Sequence, residues 1–404
     1  MEQQQRRSSL FTLYLAYFAD YFSWGAAIAF IAVYITSENT PFTQLFWNSQ
    51  ISLGIAIAAF PLGEVIGSPI LGDLSDLLGR KKVLQAGTWC SLFSMALCAF
   101  SLWIGNFILF LITQTLIGFF SGKQSMAHAA IVEINGPSKG PRVAFLSVLG
   151  CCAWILGPFS GGLLMEEPFI SYGGFIWPSI LSCCVYALSL VCTYYLFTDD
   201  YVSQNATFSP SKFLKNIGNV FVLTWKQRLF FLFFLNLLGW YLLIVSLSDF
   251  LILRFNFTSA QVGFFNNYLS LCFMVGGLIG ILWLLYRWKA KNILLWTLIS
   301  GSLGLFLVFG AEKVMELWIY LAIPAFTESW IYPAYQTVLS DRSGENNQGK
   351  LFGLIGASNG TCQFAASIIL GGFSSQLAIG VAALLFLGSG LLLPSVIRRK
   401  KAQA

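Results

Sequence analysis

Twelve stretches of about 20 or more mostly apolar residues follow one another along the chain, and this pattern limits the fold more than any other feature. At 1.5 Å of rise per residue, each is long enough to cross the hydrocarbon core of a bilayer as an α-helix. They fall at 10–36, 47–72, 83–104, 107–133, 142–165 and 173–197, then at 226–250, 260–286, 292–311, 315–340, 350–373 and 376–396. With 57% hydrophobic and 10% charged residues, against about 25% charged in a soluble domain, the chain carries too much apolar surface to hide in aqueous cores. The expected class is therefore an all-α membrane protein of twelve transmembrane helices in two six-helix bundles. The expected domains are residues 1–197, a cytoplasmic linker at 198–225, and residues 226–404.

The basic residues test this count independently. With the N-terminus in the cytoplasm, 20 of the 23 Lys and Arg residues fall on inner segments; Arg254 and Lys313 fall outside, and Lys123 lies within a span. An even number of spans, with both termini cytoplasmic, fits that asymmetry. The net charge of +6 is thus a topology signal, and no nucleic-acid partner is implied. Arg6 and Arg7 precede a first apolar segment with no small-residue cleavage site, which reads as a span rather than a signal peptide.

The two halves are related by a shift of 208 residues. This shift carries Gly72 onto Gly280, Lys81 onto Lys289, Glu133 onto Asp341 and Arg142 onto Lys350. The matches lie at corresponding cytoplasmic positions. Internal repeats with a site between them recur among secondary transporters.

The connection between the second and third spans reads Gly72-Asp-Leu-Ser-Asp76-Leu-Leu-Gly79-Arg80-Lys81-Lys82. Gly72 is expected to allow close helix approach and Gly79 a tight reversal, with Asp76 capping a helix or pairing with Arg80. The segment resembles the G-x-x-x-D-x-x-G-R-K signature of the major facilitator superfamily. The resemblance implies a cytoplasmic gate made by Gly72, Asp76, Gly79, Arg80 and Lys81, with Glu133 as a further partner for Arg80 and Arg142 nearby. Leu77 stands where that family usually has a base. In the fifth span, Gly150 and Gly157-Pro158-Phe-Ser-Gly161-Gly162 are similar to the G-P-x-x-G-G motif of the family's drug–proton antiporter branch. Small residues there let backbones approach, and Pro158 bends the helix. The first span, with Asp20 five residues before Gly25, looks like that of tetracycline-type exporters. Gln114, four residues before Gly118, stands where the branch carries an Arg tied to proton coupling, a departure that bears on the coupling scheme.

Ionisable groups inside spans cost about 2.5 to 3.5 kcal/mol each on insertion scales and tend to face one another or a cavity. Counted from the inner boundaries, Asp20, Glu64, Lys123 and Glu328 lie at roughly 12 to 18 Å, near the level where transporter sites are found. Lys123 is expected to pair with Asp20 or Glu64, leaving one carboxylate able to titrate; the bland alternative is a static ion pair fixing helix register. His128, the only histidine, is either a pH-sensitive group or a polar helix-end residue. Trp24, Trp330, Tyr332 and Tyr335 are candidate substrate contacts, the last three beside Glu328 in a span interrupted by Pro324 and Pro333.

No catalytic constellation, phosphate-cradling loop or metal-ligand spacing is visible, and the nine cysteines sit singly or in adjacent pairs within apolar runs. Neither an enzyme nor a cofactor is expected. The favoured function is secondary active transport of a small molecule, as proton-coupled export of a drug-like or amphipathic compound. The alternative is proton-driven import of a metabolite such as an amino acid, sugar, nucleoside or siderophore. A membrane enzyme or lipid-handling protein ranks behind both. Short outer connections point to a monomeric multi-pass protein of a bacterial inner membrane.

Overall fold

The computed structural model describes residues 2–36, 48–133, 139–165, 174–197, 228–280, 288–343 and 348–398. Among them the chain is helical and without strands. The first spans are α1 (Glu2–Thr36), α2 (Ser49–Leu78) and α3 (Arg80–Trp103). The fourth span is two helices, α4 (Phe107–Ser121) and α5 (Lys123–Glu133), followed by α6 (Lys139–Leu163) and α7 (Trp177–Leu196). The second half holds α8 (Arg228–Phe255), α9 (Ser259–Ile279), α10 (Ala290–Phe309), α11 (Val314–Ser343), α12 (Gln348–Gly372) and α13 (Ser375–Arg398). Among the described residues, seven helices are long and apolar enough to cross a membrane by length and composition, among them α3, α7, α8, α10 and α13. Helices α1 and α11 fall outside that set, and these two carry Asp20 and Glu328.

Local chemistry explains the element ends. Asn48 and Asn106 accept from the backbone N–H groups of Ile51 and Leu109, capping α2 and α4. Glu316 in the first turn of α11 accepts from the N–H groups of Glu312 and Lys313. Gly79 turns α2 into α3 with φ 94° and ψ 150°, a region open essentially to glycine alone.

Packing divides the chain into two units, Met1–Phe213 with Phe257–Asn267, and Leu214–Asn256 with Tyr268–Ala404. The expected linker at 198–225 lies outside the described residues. In the first unit α1 packs on α6 and α7, and α3 packs on α4 and α7. In the second, α8 packs on α12 and α13, and α10 on α11 and α13. These are the same four pairings, span for span.

One pairing is not repeated in kind. Helices α2 and α4 meet backbone to backbone: a Cβ added at Gly63 or Gly67 would lie 1.9 Å from the carbonyl oxygen of Thr115 or Phe119, and one at Gly118 lies 1.9 Å from that of Phe60. A Cβ at Gly122 would lie 2.4 Å from Ser68 N and 2.6 Å from the Gly67 carbonyl carbon. Two G-x-x-x-G segments, Gly63–Gly67 and Gly118–Gly122, thus interlock. The 208-residue shift carries these four glycines onto Leu271, Val275, Phe326 and Trp330. There α9 and α11 flank an open apolar groove of about 510 Å³, lined by Tyr268, Trp318, Phe326 and Trp330 among others.

Gly72 does not do what its place in the motif suggests. Among the described residues a Cβ there meets nothing within 4 Å, so none of them makes a close helix approach at Gly72. Its carbonyl accepts from Ser75 Oγ instead.

Candidate functional site

Four helices of the first unit converge on one ion pair. Gly122 interrupts the fourth span, and Lys123 begins α5 directly after it. Gly87 on α3 leaves room for the lysine stem, since a Cβ there would lie 3.2 Å from Lys123 Cδ. The ammonium Nζ reaches Asp20 Oδ1 on α1 at 2.6 Å and donates to Ser91 Oγ on α3 at 2.9 Å. From α7 the Tyr186 hydroxyl donates to the same Asp20 Oδ1 at 3.0 Å, and its ring centroid lies 5.3 Å from Nζ. Lys123 and Asp20 are each 1% exposed, so the pair is sealed from solvent. Both donors crowd Oδ1, while Oδ2 is buried without a hydrogen-bond partner. A buried pair this short repays its desolvation only with further hydrogen bonds, and Ser91 and Tyr186 each supply one, to the lysine and to Asp20 Oδ1.

Glu64 on α2 lies within electrostatic reach of Asp20 but forms no ion pair with Lys123, and it is half-buried. One turn before it, Phe60 stacks on Trp24 at 4.2 Å between centroids and 16° between planes. Trp24, one turn after Asp20, is 4% exposed, and its Nε1 has no partner. An aromatic pair therefore sits one turn along from the two carboxylates.

Gln114 is buried and donates to Cys98 Sγ at 3.6 Å. The nine cysteines are free thiols. Lys123 lies nine residues after Gln114 in the same span. The Gly157–Gly162 motif serves close packing: Gly157 and Gly161 press on the backbone of Phe22 and Ala26, Gly25 lies against Pro158 Cδ, and Gly150 touches the Tyr17 ring. On the other side of α6, Gly263 at the start of α9 lies against Pro158 O and Gly162 Cα. The motif thereby fixes the stretch of α1 that follows Asp20.

In the second unit, Glu328 on α11 is 2% exposed and accepts from Asn236 Nδ2 on α8 at 3.2 Å. Phe233 on α8 packs against the rings of Tyr332 and Tyr335, at 5.9 and 5.4 Å. Tyr332 accepts from Asn359 Nδ2 at 2.9 Å. Trp330 points elsewhere: its Nε1 donates to Gly276 O on α9 at 2.6 Å, and its ring covers Gly280 and lines the open groove. The aromatic patch read as one surface is thus split between two faces of α11. The reason is helical periodicity, because residues 328, 332 and 335 share a face that 330 does not.

At the cytoplasmic motif, Arg80 is 6% exposed and donates to Ser75 Oγ, while Lys81 Nζ donates to Tyr194 O at 3.3 Å. The side chains of Asp76, Glu133, His128 and Arg142 lie outside the described residues. Ser91, Tyr186 and Asn236 went unread because neutral polar residues are common on spans and carry no spacing signal. The Gly63–Gly67 and Gly118–Gly122 zipper did carry one, in its four-residue spacing.

The sequence profile of the Major Facilitator Superfamily matches residues 13–367, and again 229–404. The chain belongs to the Major Facilitator Superfamily. It is 23% identical over 402 residues to the quinolone resistance protein NorA of Staphylococcus aureus (strain MSSA476), covering 96% of this chain and 95% of that one. Among solved structures, the human organic anion transporter MFSD10 (TETRAN) superposes with a TM-score of 0.72 at 17% identity, covering 96% of this chain and 99% of that one. A D-xylose-proton symporter does so with a TM-score of 0.74 at 14% identity, covering 95% and 96%. At these identities the structures share the fold. Membership of the family makes the chain an integral multi-pass membrane transporter of a small molecule.

Proposed function

We propose that this transporter exports a drug-like or amphipathic compound in exchange for protons, by alternating access. The observation that carries the reading is the sealed Asp20–Lys123 pair with Glu64 close by and free of that pair. One lysine serves two neighbouring carboxylates. While it holds Asp20, Glu64 can take up a proton; a shift of the Lys123 head toward Glu64 would release that proton and free Asp20 to bind one. Trp24 and Phe60, one turn away, are a buried aromatic pair that a change of state could open to an apolar substrate. Export is further supported by likeness over 96% of the chain to a protein whose name is quinolone resistance. The chain would move its substrate unchanged, as a monomer in a bacterial inner membrane with both termini cytoplasmic.

A second reading is proton-driven import of a metabolite. Gln114 in place of the antiporter arginine favours it, as does the fold shared with a D-xylose-proton symporter. Substrate-driven proton flux in liposomes decides the matter. Asp20→Asn is expected to abolish the flux, with folding checked by detergent unfolding because the change strands the Lys123 ammonium; unchanged flux would remove Asp20 from the mechanism. A substrate gradient that moves protons in the same direction as substrate establishes import.

A further inference from the structure

Of the groups around the Asp20–Lys123 pair, one addresses both partners. Tyr186, midway along α7, is 0% exposed. Its hydroxyl donates to Asp20 Oδ1 at 3.0 Å, and its ring centroid lies 5.3 Å from Lys123 Nζ. The oxygen it binds is the one that holds the lysine at 2.6 Å. The two donors therefore meet on a single atom, and Oδ2 is left without a hydrogen-bond partner. A hydroxyl on Oδ1 favours the ionised carboxylate, and the ring face attracts the ammonium, so both ends of Tyr186 draw Lys123 onto Asp20. Ser91 adds a third contact, accepting from Nζ at 2.9 Å. Glu64, the other carboxylate within electrostatic reach, has no hydrogen-bond or ion-pair partner among the described residues.

We propose that Tyr186 is a positioning residue that sets which carboxylate Lys123 serves, holding the ammonium on Asp20 and leaving Glu64 unpaired. This role rests on reading one lysine as shared by two carboxylates, and it supplies what decides between them. Asp20 and Glu64 are acids of the same chemistry at similar depth, so a small bias is enough. One hydrogen bond to a charged group shifts an equilibrium by about tenfold or more. Helix α7 is placed to apply that bias, because it packs on α1 and α3, the helices of Asp20 and Ser91. Among the described residues, the titratable groups facing Asp20 are Lys123 of α5, Tyr186 of α7 and Glu64 of α2. Helix α5 also brings the neutral amide of Gln124, α3 brings the Ser91 hydroxyl to the lysine, and α6 meets this stretch of α1 with Gly157 and Gly161.

The test needs no transport. A hydrophobic carbodiimide modifies protonated carboxyl groups inside a membrane protein and spares a carboxylate held in an ion pair. The full chain in detergent is treated at stepped pH, and modified Asp20 and Glu64 are quantified by peptide mass spectrometry. Parent, Tyr186→Phe and Ser91→Ala are compared, with folding checked by detergent unfolding. The parent is expected to be modified chiefly at Glu64. In Tyr186→Phe, which keeps the ring and loses the O–H, the ratio of Asp20 to Glu64 modification should rise about tenfold. Ser91→Ala, which takes a bond from the lysine, should move the ratio the same way, and it decides alone if Tyr186→Phe does not fold. An unchanged ratio in the folded variant overturns the proposal and leaves Tyr186 as packing; so does a parent modified chiefly at Asp20. A shifted ratio with substrate-driven proton flux unchanged at every pH upholds the role of Tyr186 and faults the coupling scheme alone. The two readings thus fail separately.

Discussion

Lys123 owes its position to a single break. Gly122 ends α4 where its own backbone presses on Gly67 and Ser68, and the next residue turns its side chain toward Asp20, Ser91 and Tyr186. Removing one member of a fully buried pair strands the other. Lys123→Met is therefore expected to destabilise the protein by about 3–5 kcal/mol, read from unfolding in detergent. The double variant Asp20→Asn/Lys123→Met should regain most of that stability. If it also regains substrate-driven proton flux, the pair is only a structural tie; stability restored without flux identifies a working group. The sequence offered Lys123 a choice between Asp20 and Glu64, since all three are charged and lie at similar depth. The choice was made by the neighbours: Ser91 accepts from the Lys123 ammonium and Tyr186 donates to Asp20, and no spacing rule marks a lone serine or tyrosine on another helix.

At the scale of elements, glycines with similar motif standing behave in opposite ways. Gly67→Val would put a side chain where the Phe119 carbonyl lies 1.9 Å from an ideal Cβ, so α2 and α4 must part. A large loss of folded, detergent-stable protein is expected. Gly72→Ala meets open space, and alanine's better helix propensity is expected to leave stability unchanged or raise it by up to about 1 kcal/mol. Gly79→Ala should cost about 1–3 kcal/mol because no other residue adopts φ 94° with ψ 150° comfortably. Parallel thermal melts of the three variants check the order. If Gly72→Ala proves the most damaging, the helix-packing account is wrong. The turn at Gly79 was legible because a Gly before a basic cluster marks a reversal. The zipper was legible in spacing, but which helix it meets was not.

For the whole molecule, the charge asymmetry implies a definite orientation that chemical labelling can check. A cysteine replacing Lys313, in the exposed turn between α10 and α11, should react with an impermeant thiol reagent on intact cells. One replacing Lys289, before α10, should react only after the membrane is opened. Reversed labelling would invert the topology. The repeat adds a second point at this scale. Four helix pairings recur in both units, yet each unit has its own buried chemistry: an ion pair on α1 and α5, and an acid on α11 held by an amide of α8. Duplication supplied the scaffold, and divergence at a few positions supplied the sites.

The twelve spans, the duplicated halves and the family were set by the sequence alone. Hydropathy over 20 residues, loop charge and the Gly72–Lys82 segment are local properties that survive without knowledge of contacts. Tertiary packing alone decided which carboxylate holds the lysine, that Trp330 leaves the Tyr332–Tyr335 face, and that Glu328 meets the Asn236 amide. Those outcomes depend on which faces of distant helices meet at a given height. Residues more than 90 positions apart, such as Asn236 and Glu328, become neighbours only when the bundle closes.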